Sequence, residues 1–172
     1  MKIKTIILAS LLTLNLSAIT IGEIPKNITI DGENGGLVLD GGIWDSSSIK
    51  DKVFVMFYVD PDEKDTNSHF SDVLKEKEYD KSKFGSIAIV NLAATWKPNF
   101  IIESLLKDKQ EKFPRTIYVK DKNSLVVNEW KVKDNASNII LFSKSGEVLF
   151  YKSGAMSDED IQKATSLIES NL

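Results

Sequence analysis

The sequence contains no cysteine, a single histidine and a single arginine among its 172 residues. The absence of cysteine excludes thiol nucleophiles, CxxC redox pairs, Fe–S clusters and Cys-based zinc sites. One histidine excludes a His-rich zinc or copper site unless carboxylates or another subunit complete it. One arginine leaves few bidentate contacts for phosphate or guanine. Thiol chemistry is therefore excluded, and nucleic-acid binding is disfavoured.

The charge balance also disfavours a nucleic-acid partner. The chain carries 25 acidic and 22 basic residues, a formal net charge of −3. Without the two lysines of residues 1–18 the net charge falls to −5. Because phosphate binding needs a concentrated basic surface, this acidic chain is a poor candidate for DNA or RNA.

The amino-terminal residues have the layout of a secretory signal peptide. Lys2 and Lys4 precede an apolar stretch over residues 5–16, and Leu16, Ser17 and Ala18 supply a cleavage point after a small residue. A buried first helix is the alternative, but it would lack a polar face. No later apolar run approaches the roughly 20 residues that cross a membrane. We therefore predict a signal peptide over residues 1–18, one domain over residues 19–172, and no membrane insertion after processing.

Apolar runs predict the strands. Residues 53–59 are seven consecutive apolar residues, β-branched or aromatic for the most part, which is typical of a central strand covered on both faces. Residues 86–91 and 138–142 are two further buried strands. Residues 116–119 and 125–130 are predicted to form a hairpin, and residues 139–142 a second hairpin with residues 148–151.

Helical spacing of apolar residues alternates with these strands. It predicts helices over residues 68–78 and 99–111. A last helix follows Ser157, which is an N-cap with Asp160 at the capping-box position. Strands that alternate with helices predict an α/β domain with a central mixed sheet flanked by helices.

Several segments resemble a known family. The strand over residues 53–59 with its polar loop and helix, and the final hairpin and helix, resemble the two ends of the thioredoxin-like fold. Residues 22–33, 89–91 and 151–160 are similar to the YtfJ family of small exported bacterial proteins. The resemblance implies a three-layer thioredoxin-like fold and a periplasmic location.

The chain departs from the redox pattern of that fold at both halves of the site. Residues 63–66 stand where CxxC would begin the helix, and Ser137 stands where the cis-proline would precede a late strand. A threonine cannot replace a thiolate nucleophile. Thiol–disulfide exchange and cysteine peroxidase activity are excluded.

Four carboxylates lie in the loop after the central strand, where this fold carries its active site. Asp60, Asp62, Glu63 and Asp65 are oxygen ligands of the kind that Ca²⁺ or Mg²⁺ prefers. The alternative is that acidic residues stabilise the positive end of the following helix and keep the loop hydrated.

Asn91 and Trp96 follow the next strand. Because the carboxyl ends of neighbouring strands form the ligand crevice of open α/β sheets, these two residues with Thr95 are a candidate binding surface beside the acidic loop. The alternative is that Trp96 covers the edge of the core.

These residues favour a binding module over an enzyme. We predict an exported protein without cofactor, metal or catalytic residues, whose partner is a periplasmic protein or a small ligand. The alternative is a hydrolase, metal-assisted or carboxylate-based, that uses residues 60–65 with His69. A third hypothesis, that the protein is a transcriptional regulator, requires the protein to remain in the cytoplasm.

Overall fold

The computed structural model describes residues 18–172. The predicted signal peptide, apart from Ala18, lies outside the described residues. The helices are α1 (Ser68–Glu76), α2 (Asn99–Lys112), α3 (Leu125–Trp130) and α4 (Asp158–Asn171). The strands are β1 (Thr29–Ile30), β2 (Gly35–Leu37), β3 (Trp44–Asp45), β4 (Val53–Val59), β5 (Phe84–Asn91), β6 (Thr116–Asp121), β7 (Ser137–Phe142) and β8 (Val148–Ser153).

Six strands form one mixed sheet in the order β2-β6-β5-β4-β7-β8, and β1 and β3 form a separate two-stranded ribbon. β4, β5 and β6 run parallel, because helices α1 and α2 carry the chain back between them. β7 runs antiparallel to β4, and the tight turn to β8 makes the predicted carboxyl-terminal hairpin. The predicted central strand therefore lies inside the sheet.

Alternation along β4 divides the core between two faces of the sheet. Val53 and Val55 pack against Phe70 of α1 and Ile168 of α4. Met56 and Tyr58 point the other way, into a cluster that contains the ribbon and α3. The α2 side chains pack beside the first face in a smaller cluster near the ends of β4 and β5. The result is the predicted three-layer α/β architecture.

One predicted hairpin is wrong. Residues 125–130 form helix α3, and the neighbours of β6 in the sheet are β2 and β5. Val126 and Trp130 are four residues apart and both buried, which is helical spacing. The polar turn before this segment ends the strand and starts a helix, because the Asp121 carboxyl accepts the N–H groups of Leu125 and Val126.

The three predicted helices are confirmed, and their bounds differ by no more than two residues. The last helix begins at the predicted cap: Ser157 accepts the Asp160 N–H group, and the Asp160 carboxylate accepts the Ser157 N–H group. The pKa of Asp160 is lowered to about 2, mainly by the hydrogen bond from Lys152 and then by the bond from the Ser157 N–H group. Across residues 18–172, every helix is too short or too polar to cross a membrane.

Candidate functional site

The carboxyl ends of the three parallel strands meet at one edge of the sheet. Asp60 follows β4, Asn91 ends β5 and Asp121 ends β6, and Asn91 is the register partner of Asp121. In open α/β sheets this edge is where ligands bind. The predicted site residues all lie on the loops that leave it.

Residues 60–65 form the acidic loop, and Asp60 holds its conformation through a hydrogen bond inside the loop. Its carboxylate accepts the Asp62 N–H group at 3.0 Å and so caps the short 3-10 helix Pro61–Glu63. The side chain is buried, and burial is the main reason that its pKa is raised; nearby Asp62, Glu63 and Asp134 add to the effect. A buried carboxyl engaged with its own backbone positions the loop and is not available to a partner.

Asn91 has the same positioning role on the next loop. Its amide oxygen accepts the Ala93 N–H group at 3.2 Å and the Ser124 hydroxyl at 3.0 Å, and its nitrogen donates to Asp134 at 3.3 Å. The side chain is buried. Asn91 therefore ties β5 to the loops after β6 and before β7, and is covered by them.

Trp96 is 87% exposed and so does not cover the edge of the core. Its two neighbours hold it against the acidic loop. The Thr95 hydroxyl donates to Asp62 at 3.1 Å, and the Lys97 ammonium group makes an ion pair with the same carboxylate. The residues on both sides of Trp96 are thus bonded to one residue of the predicted site, and the indole itself is open to solvent.

Further apolar side chains extend from Trp96 along the first turns of α2. Phe100 is 73% exposed, Leu105 is 52% exposed and Ile101 is 43% exposed. Ile101 and Leu105 are one helical turn apart and share a face, while Ile102 and Leu106 point into the core. We call Trp96, Phe100, Ile101 and Leu105 the Trp96 surface.

Charged groups border this surface. The pKa of Asp62 is lowered by the hydrogen bond from Lys97, and the pKa of Asp65 is lowered by the hydrogen bond from Lys64. Both carboxylates are therefore ionised at neutral pH. Within residues 18–172, no three His, Asp or Glu side chains converge in a way that could hold a metal ion.

His69 lies on the exposed side of α1. Its Nε2 atom is 3.0 Å from the carbonyl oxygen of Met156, in the segment before α4. In the described part of the chain that carbonyl is its hydrogen-bond partner, and no carboxylate orients the ring. The geometry does not bring His69 together with the acidic loop as an acid–base pair.

The start of α1 also corrects the predicted position of the missing redox pair. A thiol pair needs its first residue at the helix amino terminus and its second residue three positions later. The helix begins at Ser68, so Glu63 and Thr66 lie before its start and not at it, whereas Asn67 and Phe70 lie at its first turn. Phe70 is fully buried in the core, and Asn67 occupies the N-cap position.

Asn67 is a buried residue of this region that the sequence analysis missed. Its side-chain nitrogen donates to the Ser137 hydroxyl at 2.9 Å and to the Gly154 carbonyl at 3.0 Å, and its oxygen accepts the Met156 N–H group at 2.9 Å. Ser137 is the residue predicted at the cis-proline position, and the described residues contain no cis peptide bond. A short polar residue just before a helical pattern is the available sequence signal.

The sheet order, the helix positions and the absence of cysteine together define a thioredoxin-like protein without a redox site. Solved structures agree on the fold. A thiol-disulfide isomerase from Corynebacterium glutamicum matches with a TM-score of 0.62 at 14% identity, over 88% of this chain and 96% of that one. The exposed lipoprotein thioredoxin of Streptococcus pneumoniae matches with a TM-score of 0.55 at 14% identity, over 84% and 99%.

The chain belongs to the family described as bacterial proteins of unknown function (YtfJ_HI0045), whose model matches residues 32–171. It is 32% identical to an uncharacterized protein of Haemophilus influenzae over 145 residues, which are 79% of this chain and 78% of that protein. It is 24% identical to the uncharacterized protein YtfJ of Escherichia coli over 153 residues, 84% and 82% of the two chains. The predicted family and fold are confirmed.

Proposed function

We propose that this protein is an exported, periplasmic binding module that uses the Trp96 surface to hold an apolar peptide segment carrying basic side chains. The observation that carries the proposal is the exposed indole of Trp96 beside Asp62, to which both of its chain neighbours are bonded. A tryptophan held in water by a fixed loop contributes nothing to the core. This exposure supports a role as an anchor for a partner, since tryptophan is enriched among the residues that dominate binding energy at interfaces.

The apolar part of the surface supports a protein partner. Scattered exposed apolar residues are normal on a soluble protein, but a group of large ones at one place marks a binding site. Trp96, Phe100, Ile101 and Leu105 are confined to ten consecutive residues at the start of α2 and the loop before it. Covering them with another chain removes apolar area from water, which is favourable.

The acidic residues beside the Trp96 surface favour a bound peptide segment with basic side chains. Asp62, Glu63 and Asp65 lie on the adjoining loop, with Lys64 and Lys97 neutralising part of their charge. The processed chain is acidic as a whole, with a net charge of −5. A basic segment is attracted to this border and an acidic one is repelled. Thiol–disulfide exchange and cysteine peroxidase chemistry are excluded for this chain because it lacks cysteine.

Export is supported by the sequence of residues 1–18 and tested by fractionation. The full-length protein is expressed in a Gram-negative host, and the periplasmic and cytoplasmic fractions are compared by intact mass. We expect a shortened chain in the periplasm. A full-length chain confined to the cytoplasm would contradict this part of the proposal and would reopen the regulator hypothesis.

Binding is tested with three labelled synthetic peptides of equal length: alternating Leu and Lys, alternating Leu and Glu, and alternating Ser and Lys. Fluorescence anisotropy measures their affinities for the protein and for two variants. We expect the Leu/Lys peptide to bind most tightly, and Trp96→Ala to weaken it at least tenfold. Ile24→Ala is the matched control, because Ile24 is also exposed but lies near the opposite end of β4.

Each alternative outcome has a clear meaning. Equal binding of the Leu/Lys and Leu/Glu peptides would contradict the charge selection. Loss of binding in Ile24→Ala but not in Trp96→Ala would place the site elsewhere. Failure of all three peptides, together with failure of a photo-crosslinker at position 96 to capture more protein in living cells than one at position 24, would overturn the binding proposal.

A further inference from the structure

The first residues of the described chain are bonded across two elements of the fold. The Ile19 N–H group donates to the Trp130 carbonyl at 2.9 Å, and the Trp130 indole N–H group donates to the Lys26 carbonyl at 2.7 Å. Further along, Gly22 donates to the Val148 carbonyl at 2.8 Å and Glu23 accepts from the Val148 N–H group at 2.9 Å. Residues 19–26 are thus attached to the end of α3 and to the edge strand β8.

Within the described residues, which start at Ala18, attachment to the core begins at Ile19. The Ile19 side chain is partly buried and packs against the core cluster that contains Trp130. Ala18, immediately before it, is exposed. Ala18 is also the small residue that ends the segment Leu16, Ser17 and Ala18, the cleavage point predicted from the sequence. The peptide bond between exposed Ala18 and half-buried Ile19 therefore separates the leader-like sequence from the first described residue that packs against the core.

We propose that the amino group released on Ile19 by cleavage at this bond, the processing site predicted from the sequence, stays on the Trp130 carbonyl as an ammonium donor. The inference rests on the proposed export. Hydrolysis by a leader peptidase adds one water across the bond: Ala18 leaves with a carboxylate, and the Ile19 nitrogen leaves as an amine that takes up a proton. Nothing is oxidised or reduced.

Cleavage strengthens the contact that already exists. Trp130 is the last residue of α3, and the final carbonyl groups of a helix have no partner within it. Before cleavage the Ile19 nitrogen is a neutral amide with one N–H group. After cleavage it is a cation with three, and a charged donor makes the stronger hydrogen bond. The processed chain therefore holds residues 19–26 more firmly than its precursor.

The first test is the amino terminus of the protein secreted by its own leader. The full-length gene is expressed, and the periplasmic chain is examined by intact mass and amino-terminal sequencing. We expect it to start at Ile19. A periplasmic chain that starts elsewhere would overturn the processing site and leave export intact, whereas an unprocessed cytoplasmic chain would overturn export itself.

The second test isolates the ammonium group. The secreted chain is compared with the same chain acetylated at its α-amino group and with a chain extended by Ser17 and Ala18, by urea unfolding at pH 6. We expect the free amine to give the highest urea midpoint, and the acetylated and extended chains to share a lower one. A role for the Ile19 side chain alone would leave all three midpoints equal, and that result would overturn the ammonium contact. Acetylation of a chain that starts at Thr20 is the control and should change nothing.

Discussion

Asn67 donates a hydrogen bond to Ser137 across 2.9 Å and thereby joins the start of α1 to the start of β7. The same side chain bonds Gly154 and Met156, which lie between β8 and α4. The Asn67 side-chain amide therefore links three segments beside the acidic loop: the start of α1, the start of β7 and the segment between β8 and α4. In a thioredoxin-like fold without cysteine, the position that opens the first helix has a cross-linking role made of hydrogen bonds.

Asn67→Ala tests this role. The change leaves the Ser137 hydroxyl, the Gly154 carbonyl and the Met156 N–H group without their partner in a buried place. We expect a loss of about 1–3 kcal/mol in the free energy of unfolding, which is the cost of unsatisfied buried polar groups. Urea denaturation measures it. Ser68→Ala is the control, since Ser68 is exposed and its removal should change stability by less than about 0.5 kcal/mol. Equal stability of both variants would show that the three segments stay together without Asn67.

The raised pKa of Asp60 gives a pH dependence with a definite sign. Burial disfavours the ionised form, so the folded-state pKa lies above the unfolded value of 3.8. The contribution of Asp60 to stability is then fully present below the unfolded pKa and is lost as pH rises through the folded pKa. Asp60→Asn retains an oxygen to accept the Asp62 N–H group but carries no charge. We expect Asp60→Asn to be more stable than the parent at pH 7 and equal to it at pH 3.

Urea midpoints of the parent and of Asp60→Asn between pH 3 and pH 7 measure this difference. Asp62→Asn is the contrasting variant, because the Asp62 pKa is lowered by Lys97. Its folded-state pKa lies below the unfolded value, so its contribution is present above that value and is lost as pH falls. The two substitutions should therefore have opposite signs at pH 7. A destabilised Asp60→Asn at pH 7 would contradict the assignment of burial as the main effect.

Patterns of apolar and capping residues predicted most of the fold, because in most elements the residues that the pattern marks as apolar are the ones that the fold buries. Six of the seven apolar residues of β4 are buried, on both faces of the sheet, and Ser157 with Asp160 forms the capping box that their spacing indicates. The error at residues 125–130 arose because a short apolar segment with β-branched residues fits a strand as well as a helix. The decisive group, Asp121, lies outside the apolar pattern, four residues before Leu125, and starts the helix by accepting backbone N–H groups.

The candidate site was predicted less completely. The loops that follow neighbouring parallel strands do meet, because the Thr95 hydroxyl donates to Asp62; whether Asp62 and Trp96 form a binding site stays a prediction. Sequence could not show that Asp60 and Asn91 are buried, because burial depends on the loops that cover them. Nor could it show that Ile101 and Leu105 stay exposed, since apolar residues at helical spacing usually face the core.

Substitutions at Tyr58 and Asp121 test the hydrogen bonds that start helix α3 in place of the predicted hairpin. The Tyr58 hydroxyl donates to the buried Asp121 carboxyl at 3.2 Å, and burial with this neighbour raises the pKa of Tyr58. Tyr58→Phe removes one of four donors to Asp121, so we expect a loss of about 1–2 kcal/mol. Asp121→Ala removes the acceptor of three backbone N–H groups as well, and should cost more than about 3 kcal/mol. Guanidinium unfolding compares them, and a larger effect of Tyr58→Phe would contradict the capping role.

Gly35 provides a prediction about backbone contact at the edge of the sheet. β2 lies against β6, and a Cβ atom on Gly35 would stand 1.9 Å from the Lys120 carbonyl oxygen. The backbone there also has a φ of +128°, which side-chain-bearing residues rarely adopt. We expect Gly35→Ala to destabilise the protein by about 3 kcal/mol or more, since the strand must separate to admit the methyl group.

Gly32→Ala separates the two causes. Gly32 also has a positive φ, +50°, but a Cβ atom there meets nothing within 4 Å. Its substitution should therefore cost only the left-handed backbone strain, about 1–2 kcal/mol. The difference between the two midpoints in urea measures the clash with Lys120. If the two variants are equally destabilised, backbone strain accounts for both, and β2 can move away from β6 without loss of stability. If Gly35→Ala is much less stable than Gly32→Ala, the close approach of β2 to β6 is a fixed part of the sheet.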